Sequence, residues 1–383
     1  MEAFENLEDP RRRASCAYAL DELLLTALCA VTSGADDWVS VALWAEEKLD
    51  WLRRFLPFEQ GVASHDTFSR VFALIDAKAF EACFIAWIGQ LCPGLRSQAI
   101  HIDGKSLRGS HDGEDAMAHL VSAWDSTAGL TLGQIRTASK SNEITAIPQL
   151  LDSLDVRGAT ITVDAMGCQR EVVKKIVERG ADYIIAVKNN QPTLAQAVET
   201  LFSNEADGLR QGRLLQDITI TKDHGRLETR RCVVACNLST LSKTLTDAWP
   251  GMRSAVMVHS QREFTSGDHK GQVSTEWRYY ISSRDLGAAE FNQQIRTHWS
   301  IENSCHWVLD VVFGEDDSRV RVGHGAENFA IVRRMSLNLI NQNKTIKGSK
   351  KSKRHLAAWS TTHLQTLLTL QAVPVSAASS GAA

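Results

Sequence analysis

No apolar stretch in this chain reaches the length of a membrane-spanning helix. The longest, LLLTALCAV at 23–31, follows Asp21 and Glu22 and falls well short of the roughly 20 apolar residues a span requires. The start, MEAFENLEDPRRR, has no apolar core after its charges, so no secretory leader is expected. Cysteine is present without a framework: 8 residues are scattered along 383, which suits a reducing cytosol and argues against a disulfide-stapled fold. Cys232 and Cys236 are the closest pair, but they stand in a strand-like run, RRCVVAC, with no second pair nearby; structural cysteines are expected there, not zinc. Also lacking is any large excess of one charge, because 42 basic against 45 acidic residues leave −3. Affinity for nucleic acid must therefore come from local clusters.

Such clusters exist: Arg11, Arg12 and Arg13 near the start, and Lys347, Lys350, Lys351, Lys353 and Arg354 near the end. At this length the chain exceeds one ordinary domain, and its 44% hydrophobic residues supply a core plus a smaller unit. From Tyr18 to about Leu91 the apolar spacing is helical. In SHDTFSRVFALID, Ser64 or Asp66 can cap a helix whose inner face is Phe68, Val71, Phe72 and Ile75. Two readings stand side by side: a small helical bundle, or a DNA end-binding module with His65 or Arg70 facing phosphate.

After Pro93 and Gly94 short β-type runs alternate with helical stretches. Five strands are predicted, at 99–103, 120–125, 130–135, 160–164 and 183–187. NEITAIPQLLDSL and QREVVKKIVERG are the helices between the last three. Three strands in close succession, then strand, helix, strand, suggest a ribonuclease-H-like sheet. The stretch from about 188 to 283 reads as a β-rich insertion opening with a helix. Helix resumes at Ala288 through Glu302, and a later helix covers about Glu327 to Asn341. Beyond Lys344 the chain turns basic and then Ser/Ala-rich, with disorder expected at its extreme end.

Three carboxylates carry the chemistry. Asp103 ends the apolar run AIHID and is followed by Gly104, Lys105 and Arg108, which supply a sharp turn and charge suited to phosphate. Asp164 ends TITVD. Two core strands ending in Asp are hard to explain as turns, since a carboxylate beside a core is costly unless paired or metal-bound. Paired hard oxygens match Mg²⁺. The third is Glu302, in a segment where Trp299, Glu302, His306 and Asp310 would share one face of an α-helix. Asp310 is the alternative third acid, His306 a supporting or DNA-contacting residue, and Trp307 a core residue.

Several strings in order, HIDGKSLRGSHD, KSNEITAIPQLLDSLD, TVDAMGCQ, AVKNNQPTL, GRLETRR, RYYISS and HWSIENSCHWVLDVVFGEDDSR, resemble the DDE transposases of bacterial insertion sequences, in the branch containing the H-repeat-associated proteins. LDELLLTALCAVTSGADDW, LDWLRRFLPF and SHDTFSRVF resemble that branch's helical domain, and the likeness covers roughly residues 7 to 360. The resemblance implies an α/β fold, a ribonuclease-H-like catalytic core with a β-rich insertion, preceded by a small all-helical domain. The corresponding divisions are 1–93, 94–345 with the insertion at about 188–283, and a tail at 346–383. It implies Asp103, Asp164 and Glu302 as catalytic and metal-binding residues, Mg²⁺ as cofactor with Mn²⁺ able to substitute, and double-stranded DNA as partner, both terminal inverted repeats and target. A homodimer in the active complex, no membrane, and a cytoplasmic, nucleoid-associated location go with it. Lys105, Arg108, Lys140, Lys188, Gln191, His298, His306 and Arg319 are the expected DNA contacts. One departure matters: where the wider group places Tyr, Arg and Lys around its catalytic Glu, this chain has Ile295, His298 and Leu309. Rival readings are a DNA-binding protein descended from a transposase, a nuclease on the same core, and a two-carboxylate glycosidase. The last lacks sugar-stacking aromatics near either Asp.

Overall fold

A computed structural model of the chain describes residues 2–12, 16–93, 98–111, 117–137, 143–223, 225–235 and 237–369. Five helices come first: α1 (Leu20–Thr32), α2 (Trp38–Glu47), α3 (Leu49–Leu52), α4 (His65–Leu74) and α5 (Ala77–Leu91). Asp37, Ser64 and Asp76 accept backbone N–H groups of Ser40, Thr67 and Ala79, satisfying donors that a helix start leaves open. Phe68, Val71 and Phe72 of α4 turn inward at the predicted spacing, while His65 and Arg70 stay exposed.

The sheet opens with β1 (Ala99–Ser106), β2 (His119–Asp125) and β3 (Leu130–Thr137). It continues through α6 (Glu143–Ser153), β4 (Thr160–Val163), α7 (Arg170–Glu178) and β5 (Asp182–Val187). These strands lie in the order β3-β2-β1-β4-β5. The first two pairings are antiparallel, and β1–β4 and β4–β5 are parallel, which is the ribonuclease-H-like arrangement the strand order suggested. All five predicted strands and both intervening helices are present.

Next come α8 (Pro192–Leu201), α9 (Glu205–Arg210), β6 (Leu214–Asp223), β7 (Arg226–Ala235), α10 (Lys243–Asp247), β8 (Ser254–Phe264) and β9 (Val273–Ser282). The inserted strands extend the sheet. Ile184–Val187 of β5 pair antiparallel with Tyr279–Ser282 of β9, and β8, β7 and β6 follow outward, giving nine strands in one sheet. The chain closes with α11 (Ala288–His298), a π-helical turn (Ile301–His306), α12 (Trp307–Phe313), α13 (Gly325–Gln342), α14 (Lys350–Trp359) and α15 (Thr361–Leu368). Among the described residues no helix is long and apolar enough to cross a membrane.

Helix α13 is buried almost throughout and packs against α1, α4, α5 and β3. Trp38 lies between its Phe329 and Phe72 of α4, with ring centroids 4.3 and 4.5 Å away. The Asn338 side chain bonds both the N–H and the C=O of Thr131 on β3, at 2.9 Å each. The N-terminal helices therefore share one apolar core with the sheet through α13.

In the tail, the basic tract from Lys350 onward is folded into α14, and 370–383, the Ser/Ala-rich end, lies outside the described residues. A run of charges conceals an inward face: Arg354 and Ala357 are buried. The Arg354 guanidinium donates to Val31 O, Val312 O and Asp36 Oδ1 and lies 4.1 Å from the Phe313 ring centroid. Arg354→Met should cost about 2–3 kcal/mol, the worth of charge-assisted bonds to groups then left unpaired, read as a lower urea midpoint for the whole chain. An unchanged midpoint would mean the tail adds nothing to the core.

Candidate active site

Strands β1 and β4 run parallel with Ile102 opposite Val163, which sets Asp103 beside Asp164. Asp164 follows the last residue of β4, whereas Asp103, expected to end its strand, lies inside β1 opposite Ser122, because pairing with β2 carries the strand on through Gly104 to Ser106. Asp164 closes a turn, its Oδ1 accepting the N–H groups of Met166 and Gly167 at 2.9 and 3.3 Å. Gly104 is required by close approach, since a Cβ there would run into the Glu143 carboxylate and the His119 ring. Both aspartates line one cleft of about 140 Å³ with Glu302, Lys188, Arg278 and His298.

Charge is out of balance in this cleft. Burial, then Asp164, with smaller contributions from Glu302 and Glu143, pushes Asp103 up to about 7. Burial raises Glu302 as well, against the pull of Arg278. Carboxylates kept from ionising by burial and, secondarily, by neighbouring acids fit a divalent cation, and every donor is a hard oxygen. The fit is closest for the aspartate pair. Among the described residues no three His, Cys, Asp or Glu side chains converge tightly enough to hold one ion, and Glu302 is exposed at the rim.

Beneath the carboxylates lies a neutral polar layer. Thr162 Oγ1 is 2.6 Å from His101 Nδ1 and 2.8 Å from His298 Nδ1. Burial lowers these imidazoles to about 3 and about 4 respectively. His298, expected to contact DNA in place of an Arg, is thus uncharged and tied to the floor of the site. Ile295 and Leu309 are core residues.

The π-helical turn breaks the single helical face expected for Trp299, Glu302, His306 and Asp310. One residue more per turn leaves Glu302 exposed while His306 turns inward. His306 Nδ1 is 3.5 Å from Asp103 Oδ2; burial holds this imidazole at about 3, so the contact is not an ion pair. Asp310, the alternative third acid, meets Lys105 Nζ at 2.5 Å. Trp307, expected in the core, is 56% exposed, because the extra residue rotates it outward.

Lys105 does not present its charge to solvent. It is buried among Asp310, Glu315 and Asp316, with Nζ 3.2 and 2.9 Å from the last two. Gln191 is likewise engaged, donating to Cys168 O and Gln169 Oε1. Arg108, Lys188 and Arg319 are exposed, with Arg108 Nε 3.4 Å from Asp316; Lys140 lies outside the described residues. Sequence reasoning missed Arg278 of the cleft, the His101–Thr162 layer and the His119–Glu143 pair at 2.6 Å. The strings TVDAMGCQ and KSNEIT pointed near the latter two without marking their partners.

The family described as "Transposase DDE domain" matches residues 68–339, and that described as "DDE_Tnp_1-associated" matches 1–88. Identity is 39% over 364 residues with "Putative transposase YncI" of Escherichia coli O157:H7, covering 94% of this chain and 92% of that protein. It is 37% over 370 residues with "H repeat-associated putative transposase YhhI" of Escherichia coli strain K12, covering 96% and 97%. Among solved structures, a piggyBac transposase synaptic complex with hairpin DNA aligns with TM-score 0.40 at 12% identity, over 95% of this chain and 77% of that one, too distant to carry weight.

The raised Asp103 has a signed consequence. In the unfolded chain an Asp ionises near 3.9, so the folded state prefers the protonated form between there and about 7. The native state is favoured below the lower value and penalised increasingly up to the higher one. Asp103→Asn should therefore stabilise the chain at pH 8 by on the order of 1–3 kcal/mol and leave it unchanged below pH 4. Urea titrations in chelator-treated buffer measure this; equal stability of the two proteins at pH 8 contradicts it.

Proposed function

This chain belongs to the DDE transposase family, and on that premise we propose that it cuts and rejoins DNA at the ends of an insertion sequence. The observation that carries this reading is the meeting in one cleft of Asp103 and Asp164, from the neighbouring strands β1 and β4, with Glu302 from the π-helical turn. Asp103 and Asp164 would hold Mg²⁺, with Mn²⁺ able to substitute, and Glu302 would join them from the rim of the cleft. When bound, such ions activate water at a phosphodiester and stabilise the departing 3′ oxygen.

The chain's own residues do the rest. Asp103, raised to about 7 by burial and by Asp164, would hold a cation in its ionised form. The His101–Thr162–His298 layer fixes the floor without adding charge, and Gly104 keeps the backbone close to the carboxylates. Lys188 and Arg278 face phosphate at the cleft's wall, with exposed Arg108 and Arg319 farther along the surface. Water is the first nucleophile and the freed 3′-OH the second. Both displacements are in line at phosphorus, so one site serves both without a covalent protein intermediate. A homodimer would bring two ends together.

Asp103→Asn, Asp164→Asn and Glu302→Gln should each lower cleavage of end DNA by at least about a hundredfold, the scale of losing electrostatic stabilisation of a transition state, while binding of the same DNA persists. A gel assay with Mg²⁺ reads nicking, and a plasmid target reads strand transfer. Near-parental nicking by any of the three variants removes that residue from the site. Nicking without transfer products would favour a nuclease on the same core.

A further inference from the structure

We infer that the inserted strands carry a second element of the DNA path, an arginine-lined groove that binds the phosphodiester backbone of the strand running past Glu302. The inference rests on the transposase reading and assigns a role to the insertion. The groove, about 620 Å³, shares Arg278, Trp299 and Glu302 with the carboxylate cleft. Its wall is built by strand periodicity. Arg226, Glu228 and Arg230 alternate along β7 and so share one face, with Arg262 of β8 directly opposite Glu228. Arg296 of α11 and Arg278 of β9 complete it.

Pairing within the fold does not use up this charge. Arg262 meets Glu228 at 2.9 Å and Glu276 at 3.6 Å, Arg278 meets Glu276 at 2.7 Å, and Arg296 is 3.9 Å from Glu228. Two carboxylates thus serve three of the five guanidiniums. Arg230 is the decisive residue. It is 5% exposed, and its Nε donates to Asn292 Oδ1 at 2.6 Å. Yet its buried Nη2 has no hydrogen-bond partner among the described residues, a costly state for a guanidinium unless a ligand completes it. Ser300 Oγ, on a residue lining the same groove, is also buried and unpartnered.

The ligand that fits planar donors beside an unpaired hydroxyl is an oxyanion repeated along a chain. The adjoining carboxylate cleft repels the same phosphates, so attraction must come from beside it. Trp299, with Arg278 4.5 Å from its ring centroid, forms the boundary between the two.

The test uses the full chain and fluorescently labelled oligonucleotides of arbitrary sequence, single-stranded and duplex, titrated at several salt concentrations in chelator. The variant is Arg226→Gln with Arg296→Gln, both exposed positions, compared with Lys174→Gln with Arg210→Gln, exposed charges away from the groove. Thermal unfolding checks that each folds. Each lost contact should lower the slope of log affinity against log salt by about 0.7 on single strands or about 0.9 on duplex. The control pair should leave it alone, and the form of DNA showing the larger change identifies what the groove holds. Arg230→Gln, if folded, should weaken binding further. Equal slopes for the groove variant and parent, or an equal drop in the control, overturn the groove while leaving the transposase reading intact. If the parent binds neither DNA, both fall.

Discussion

The carboxylate of Glu315 is fully buried, and three basic side chains keep it ionised there. Burial acts to raise it, but Arg334, Lys105 and Arg333 hold it at about 2. Arg334 is equally buried and lies 2.8 Å away. This centre joins three elements: β1 through Lys105, the loop after α12 through Glu315, and α13 through Arg334. Pairs of this kind add little net stability, yet removing one partner strands a charge in the core. Their value here is positional. Asp103 and Lys105 are two apart on a strand, His306 and Asp310 four apart on a helix, and these spacings cover nearly the same distance. His306 therefore meets Asp103 while Asp310 meets Lys105, which sets the segment carrying Glu302 against the strand carrying Asp103.

Much of this architecture was legible in the residues. Apolar β-branched runs bounded by turns marked all five core strands, and the position of Asp164 at a strand end followed from the pattern TITVD, whereas AIHID gave the strand of Asp103 but not its continuation to Ser106, which depends on pairing with β2. What could not be read depended on partners distant in the chain. Lys105 looked like a phosphate ligand because its local neighbours, Gly104 and Arg108, suit phosphate; the acids that enclose it come more than two hundred residues later. The basic tract at 347–354 stood out as a charge cluster suited to nucleic acid, and only the tertiary structure shows Arg354 turned inward. The rotation of Trp307 and Glu302 was hidden for a different reason. A π turn has no periodic signature, and a face drawn with α-helical spacing goes out of phase across it.

Nine strands in one sheet also change how the insertion is understood. Because β9 hydrogen-bonds to β5, the inserted strands inherit the orientation of the catalytic sheet and need no flexible linker to reach the cleft. Helix α11 then packs back on β6 and β7, with Asn292 bonded to Asp217, Thr219 and Arg230. The helix leading to Glu302 is thus gripped by the insertion on one side, and the segment after it by the Glu315 centre on the other. Acid accumulates in the cleft and base in the groove beside it, a division of sign that a nearly neutral composition concealed.

The π turn at Ile301–His306 amounts to an α-helix with one surplus residue. Reading frame and spacing are separate matters in such an element: removing a single codon between Glu302 and His306 would restore regular winding and change the angle between those two side chains by about a hundred degrees. Glu302 and the pair His306 and Asp310 could then no longer all keep their present positions, although no named side chain had been altered. The stretch between Glu302 and Asp310 is accordingly a ruler whose length in residues matters as much as its composition, and descendants of this gene should tolerate exchanges there more readily than gaps.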